Sequence, residues 1–120
     1  MSNDPTDLVR RFHDAFNAQD IEAVMQLMTD DCVFENTYPP PDGKRYVGQE
    51  AVRQSFLDFF QASPQARFEI EELFATDDHG VVRWSYHWVD ADQQAGHVRG
   101  VDIFEIRDQK IASKCSYVKG

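Results

Sequence analysis

The first half of the chain carries apolar residues at helical spacing. The first helix is predicted from an apolar stripe formed by Leu8, Phe12, Ala15 and Phe16. Asp4 followed by Pro5 predicts its start, because Asp caps helices and Pro suits the first helical position. Asp20 predicts the start of a second, short helix that runs through Met28, and "QEAVRQSFLDFF" predicts a third. The sequence therefore predicts three helices before Pro64.

The second half alternates apolar and polar residues, as strands with one buried face do. Four strands are predicted, in "RFEIEELFA", "GVVRWSYHWVD", "HVRGVDIFEI" and "KIASKCSYVK". A further strand, "CVFEN", follows the second helix, whereas the three prolines of "TYPPPDGKRYVG" predict a stiff loop. Helices followed by long antiparallel strands predict a single α+β domain over residues 1–120, in which the helices cover one face of the sheet.

One acidic residue falls on the apolar face of a predicted strand. In "RGVDIFEI", alternation places Asp102 on the same face as Phe104 and Ile106. Burial could hold this carboxylic acid neutral, as a hydrogen-bond donor, or the carboxylate could stay ionised as a base or as an anchor for a ligand hydroxyl. A hydrogen bond to Tyr86, to Ser116 or to a buried water would satisfy it without any function. The sequence leaves these alternatives open.

Charge and hydropathy argue against two kinds of partner. The chain has 21 acidic and 12 basic residues and a net charge of −9, which disfavours binding to a phosphate backbone, so we expect no nucleic acid partner. No apolar run approaches the length of a membrane span, and the first residues lack the basic and apolar regions of a signal peptide. We therefore expect no membrane partner and a cytoplasmic location.

The cysteines and histidines do not predict a metal site. Cys32 and Cys115 are too few for a disulfide framework and are expected to be buried or half-buried thiols. The four histidines have no ligand spacing on a common element, so we expect neither a metal nor a cofactor.

The order of motifs along the chain resembles a known superfamily. The segments "AFNAQDIEAVMQLMTDDCVFEN", "GQEAVRQSF" and "GVDIFEIRDQKI", followed by "SYV", resemble the nuclear-transport-factor-2-like superfamily, and within it the SnoaL-like and ketosteroid-isomerase-like branch. The resemblance implies a curved antiparallel sheet, wrapped by three N-terminal helices into a cone with an apolar pocket (a cystatin-like α+β roll). It also implies a homodimer that pairs through the outer face of the sheet.

Two enzyme patterns in this superfamily match the chain only in part. Ketosteroid isomerases use a carboxylate base with a tyrosine and a protonated aspartic acid. The matching positions hold Asn36, Phe12 and Asp102, so only the acid is kept. Limonene-epoxide hydrolases hold a water with an Asp, an Asn and a Tyr beside an Arg–Asp pair. Asn36 matches their Asn, but the Arg–Asp pair falls at Tyr86 and Trp88.

Strand faces and the resemblance together predict an aromatic pocket with a few polar groups. The predicted catalytic residues are Asp102, Asn36 and Tyr86. The predicted substrate-binding residues are Phe12, Phe16, Phe34, Trp84, Trp88, Phe104 and Ser116. Such a pocket suits a small hydrophobic ligand carrying one or two oxygens.

The leading functional hypothesis is a cofactor-independent enzyme of the isomerase, cyclase or dehydratase-like kind, with Asp102 as its key acid or base. Two alternatives are kept. One is a non-catalytic protein that binds a small apolar ligand, and the other is a dimeric interaction module that uses the outer sheet face.

Overall fold

The computed structural model describes residues 4–119 of the predicted domain; residues 1–3 and 120 lie outside the described part. The helices are α1 (Pro5–Asn17), α2 (Ile21–Gln26) and α3 (Gln49–Ala62). Both predicted N-caps are confirmed, because Asp4 accepts a hydrogen bond from the Thr6 amide and Asp20 accepts one from the Ala23 amide. Helix α2 is shorter than predicted, since Met28 already begins a strand. None of these three helices is long and apolar enough to cross a membrane.

Six strands form one sheet in the order β2-β1-β6-β5-β4-β3. The strands are β1 (Met28–Glu35), β2 (Arg45–Val47), β3 (Arg67–Ala75), β4 (His79–Val89), β5 (Ala95–Arg107) and β6 (Lys110–Val118). Strands β1 and β6 pair in parallel, whereas the other neighbours are antiparallel. The prediction of an antiparallel sheet is therefore corrected in one respect: the first strand enters beside the last one and runs in the same direction.

The proline loop ends earlier than predicted. The sequence predicts a loop through residue 48, but Arg45–Val47 form β2 against β1. The turn depends on Gly43, which has φ +74° and lies so close to Asn36 that an added Cβ would meet the Asn36 backbone oxygen at 1.9 Å. A residue without a side chain is needed there. Beyond this turn no proline blocks pairing, so the chain returns along β1.

The core lies between the helices and the inner face of the sheet, and it is strongly aromatic. Phe12 of α1 and Phe104 of β5 are fully buried, with ring centroids 5.5 Å apart. Phe16 of α1 meets Phe56 of α3 edge to face at 5.2 Å. The predicted α+β arrangement is confirmed, and the alternation of buried and exposed residues along β5 confirms that Asp102 points into this core.

Candidate functional site

Three ionisable side chains are buried together on the inner face of the sheet. His13, Asp102 and Lys114 are 3%, 2% and 6% exposed. Lys114 Nζ donates to Ser116 Oγ at 3.3 Å, and Ser116 Oγ donates to Asp102 Oδ1 at 2.6 Å. The other carboxylate oxygen, Oδ2, lies 3.6 Å from Lys114 Nζ and 3.7 Å from His13 Nε2. The site is thus a buried ion pair bridged by a hydroxyl, with an imidazole beside it.

Pairing between β5 and β6 assembles most of this cluster. Asp102 is directly opposite Ser116, and Phe104 is directly opposite Lys114. Residues two apart on a strand share a face, so Lys114 and Ser116 both point inward beside the carboxylate. His13 follows Phe12 on the buried side of α1, which brings its ring onto the same group.

The charges of the cluster follow from its surroundings. Burial lowers the pKa of His13 to about 4, although the neighbouring Asp102 carboxylate acts in the opposite direction. The imidazole is therefore neutral at pH 7, and neither of its nitrogens has a hydrogen-bond partner among the described residues. Lys114 is then the cation that balances Asp102. Within residues 4–119 no hydrogen bond reaches Asp102 Oδ2, so this oxygen is available to a ligand.

Aromatic rings surround the Lys114 ammonium. Its nitrogen lies 4.6 Å from the centroid of Phe34, 5.2 Å from that of Phe16 and 5.8 Å from that of Phe56. Ring faces attract a cation at these distances, and the attraction grows when water is excluded. The site is therefore built to hold a positive charge at this nitrogen.

A cavity of about 160 Å³ adjoins the cluster. It is lined by Phe16, Phe34, Asn36, Thr37, Tyr46, Ser55, Phe56, Phe59, Phe68, Trp84, Asp102, Lys114 and Ser116. The lining residues Asn36, Thr37 and Tyr46 are only half-buried, so the cavity reaches the surface on their side. Trp84 is buried, and its indole N–H lacks a hydrogen-bond partner within the described chain. The result is an apolar chamber with a carboxylate, an ammonium and free polar groups in its wall.

Six of the ten predicted site residues line this cavity. They are Phe16, Phe34, Asn36, Trp84, Asp102 and Ser116. The structure thus brings together the predicted acid, amide and hydroxyl with three of the predicted aromatic residues.

The other four predicted residues do not line this cavity. Phe12 and Phe104 are fully buried in the core and face each other instead of the cavity. Tyr86, predicted as catalytic, stacks on Phe68 at 4.8 Å and is absent from the lining of the cavity. Trp88 is 38% exposed and lies over Gly96 of β5, where an added Cβ would meet its ring at 2.6 Å. It covers the bare backbone of a glycine and does not enter the cavity.

Sequence reasoning missed His13 and Lys114 as members of the cluster. The signal for Lys114 was present, because it lies two residues before Ser116, which was predicted to face the pocket. The signal for His13 was its place next to Phe12 on the apolar stripe of α1. Both were passed over because lysine and histidine ordinarily lie at the surface.

Asn36 has a structural task in addition to lining the cavity. Its Oδ1 accepts hydrogen bonds from the amides of Lys44 (2.7 Å) and Tyr38 (3.3 Å), which ties both ends of the proline loop together. We expect Asn36→Ala to lower the free energy of unfolding by about 1–2 kcal/mol, since two amides lose their acceptor. Asn36→Asp keeps the acceptor and should lose less. Urea unfolding checks this, and equal losses in the two variants would refute it.

The cysteine thiols form no reactive site, and the described residues form no metal site. Cys32 is buried and Cys115 half-buried, as predicted, and both are free. Burial raises the pKa of the Cys32 thiol to about 11, so it is unreactive at neutral pH. Across residues 4–119 no three His, Cys, Asp or Glu side chains converge as metal ligands would.

Comparison with known proteins gives a consistent family and fold. A family model described as the SnoaL-like domain matches residues 9–114. An NTF2-like protein of unknown function from Mesorhizobium loti is 37% identical, with 97% of this chain and 91% of that one covered and a TM-score of 0.80. A "putative polyketide cyclase" from Xanthomonas campestris is 25% identical, with 98% and 93% covered and a TM-score of 0.77.

A second NTF2-like protein of unknown function, from Burkholderia pseudomallei, is 16% identical with 99% and 92% covered and a TM-score of 0.82, which supports the fold. No curated protein matches the chain.

Proposed function

Since the chain belongs to the SnoaL-like domain family, we propose that it is a cofactor-independent acid–base enzyme acting on a small hydrophobic carbonyl compound. In this proposal Asp102 removes a proton next to the carbonyl group, and the Lys114 ammonium stabilises the charge that develops on the oxygen. Isomerase, cyclase and dehydratase reactions share such a step.

The observation that carries the proposal is the unequal use of the two Asp102 oxygens. Oδ1 is fixed by Ser116, whereas Oδ2 has only the two more distant nitrogens of Lys114 and His13 near it. Lys114 Nζ lies within ion-pair distance of Oδ2, at 3.6 Å, and this geometry supports a base over the neutral donor that the sequence left open. A carboxylate with one oxygen held by a hydrogen bond, and the other without one among residues 4–119, is suited to taking a proton from a substrate.

The size of the cavity supports a substrate with about one ring. Its volume of about 160 Å³ is close to that of an engineered apolar cavity, roughly 150 Å³, that binds benzene in another protein. Phe16, Phe34 and Phe56 offer ring faces, and the Trp84 N–H is free to donate to a ligand oxygen. A six-membered cyclic ketone combines these features.

Hydrogen–deuterium exchange at the α-carbons of cyclohexanone in D₂O, followed by NMR, tests the proposal without knowledge of the natural substrate. We expect the native protein to accelerate exchange and Asp102→Asn to reduce that acceleration about a hundredfold or more. Asp92→Asn makes the same chemical change in an exposed turn and should retain the native rate.

Native protein that does not accelerate exchange would contradict the proposal, and so would an Asp102→Asn variant as active as the native one. Binding of phenols without exchange would favour the alternative of a non-catalytic ligand-binding protein, because phenols imitate an enolate oxygen but do not report turnover.

We further propose that two chains pair through the outer sheet face. Ile103 and Tyr117 are 39% and 53% exposed on adjacent strands of that face, and Val101 lies directly opposite Tyr117. We expect a dimer by light scattering and a monomer for Ile103→Glu, because a charge would be buried in the contact. Tyr38→Glu, in the proline loop, is the control and should remain a dimer. A monomeric native protein would refute this pairing.

A further inference from the structure

The Lys114 amine has a second chemical capacity that acid–base catalysis does not use. Of the four lysines in the chain, at positions 44, 110, 114 and 119, only Lys114 is buried, and it lines the cavity. We propose that Lys114 forms a Schiff base with the carbonyl group of a small aldehyde or ketone bound there. This inference takes its substrate class from the proposed function and adds a covalent intermediate to it.

The bond changes balance without any oxidant or reductant. The ammonium gives one proton to the Asp102 carboxylate, 3.6 Å away, and the free nitrogen attacks the carbonyl carbon. The carbonyl electron pair moves to oxygen, which is protonated, and a second proton transfer lets that oxygen leave as water. The net change is ammonium plus carbonyl giving iminium plus water, so the positive charge stays at the same nitrogen.

The surroundings of that nitrogen suit the product as well as the reactant. An iminium ion carries the charge that the three Phe rings and the carboxylate already stabilise in the ammonium. An amine in an apolar pocket is also the setting in which lysine acts as a nucleophile toward carbonyl groups. The Asp102 carboxylate and the three rings therefore suit both the resting Lys114 ammonium and its covalent product.

The Ser116 hydroxyl gives the second proton transfer a route. Ser116 Oγ accepts a hydrogen bond from Lys114 Nζ and donates one to Asp102 Oδ1. A proton can therefore pass between nitrogen and carboxylate through this hydroxyl while the carbonyl compound occupies the space beside Oδ2. Ser116 acts here as a positioning and relay residue, and Ser116→Ala should slow adduct formation without moving the adduct to another lysine.

Reductive trapping tests the proposal on the native protein. Benzaldehyde is added with sodium cyanoborohydride, which reduces an iminium to a stable secondary amine, and the modified peptide is located by mass spectrometry. We expect Lys114 to be modified before the three exposed lysines, and phenol, as a competing occupant of the cavity, to protect it. Modification of the exposed lysines with Lys114 unmodified would overturn the proposal. Labelling of Lys114 to the same extent with and without phenol would also overturn it.

Variants sharpen the assignment. Lys114→Met should no longer form the adduct that phenol prevents. Lys110→Met, on the same strand but exposed, should still form it. Peptide mapping of the native protein decides the question even if Lys114→Met fails to fold. Cyclohexanone exchange with no Lys114 adduct would overturn this inference and leave the acid–base proposal standing. An adduct on Lys114 without cyclohexanone exchange would support this inference and contradict the acid–base proposal.

Discussion

Replacing Lys114 by Met is expected to lower the free energy of unfolding by about 3–5 kcal/mol, because it leaves the Asp102 carboxylate buried without a cation. Met is close to Lys in length and keeps contact with the rings of Phe16, Phe34 and Phe56. The loss is therefore assigned to charge and not to an empty space. Urea unfolding at pH 7 measures it, and exposed Lys110→Met is the matched control, for which we expect little change.

A double variant separates the charge from the packing. Asp102→Asn together with Lys114→Met removes both charges and keeps the volumes, so it should recover most of the stability lost in the single variant. Replacing a whole buried ion pair is often neutral, whereas removing one partner is costly. If the double variant is as unstable as Lys114→Met alone, the cause is not the ion pair but the lost attraction between the Lys114 charge and the faces of the aromatic rings.

The same pair shows how far strand alternation could predict the site. Alternation placed Asp102 and Ser116 on the inner face, and the register between β5 and β6 sets them side by side. If strand alternation had been applied to every residue of the last strand, it would also have placed Lys114 on the inner face. The prediction failed because a buried lysine is rare, and its burial becomes acceptable only when a particular carboxylate is known to lie beside it. That pairing is a contact between two strands, and the sequence of either strand alone does not reveal it.

The positions of Tyr86 and Trp88 illustrate a different limit. Both share the face of Trp84, as predicted, but only Trp84 lines the cavity. Alternation determines the face of a residue, not how far along the strand the helices cover it. Helix α3 ends at Ala62, and Phe59 on its last turn lies against Tyr86 at 5.9 Å, so the covered region stops near this point. Beyond it, Trp88 is partly exposed to solvent.

The overall fold was more predictable than the site because its signals are local and repeated. Caps at Asp4 and Asp20, the stripe on α1 and the alternation in β3, β4 and β5 each come from a few neighbouring residues. The parallel pairing of β1 with β6 was not predictable in this way, since it joins segments about 80 residues apart. The candidate cluster depends on contacts of that kind: His13 comes from the first helix and Lys114 from the last strand.

His13 should make the fold sensitive to mild acid. In the unfolded chain histidine takes up a proton near pH 6.5, whereas burial lowers the pKa of folded His13 to about 4. Between these values the unfolded state binds more protons, so the free energy of unfolding falls as the pH falls. This contribution is complete above pH 6.5 and is lost by pH 4. Three charged groups act on the ring in addition to burial: Asp102 and Asp14 raise the pKa of His13, whereas Lys114 lowers it further.

The size of the effect follows from the two pKa values. Relative to a variant without the imidazole, the native protein should lose about 2 kcal/mol at pH 5 and about 3 kcal/mol at pH 4. His13→Leu removes the titrating group and keeps a similar apolar volume. We therefore expect it to become progressively more stable than the native protein as the pH is lowered. Comparing the two proteins at each pH cancels the titration of the carboxylates that both share.

Urea unfolding from pH 7.5 to pH 4 checks this, with His97→Leu as the control at an exposed position. The control should follow the native protein across the whole range. If His13→Leu and the native protein change in parallel, then His13 is not held neutral by burial. The ring would then take up a proton near pH 6.5, as it does in the unfolded chain, and below that pH the Asp102 carboxylate would have two cations where the proposed mechanism gives it one. The pH profile of stability thus tests the charge state on which the catalytic proposal depends, without requiring a substrate.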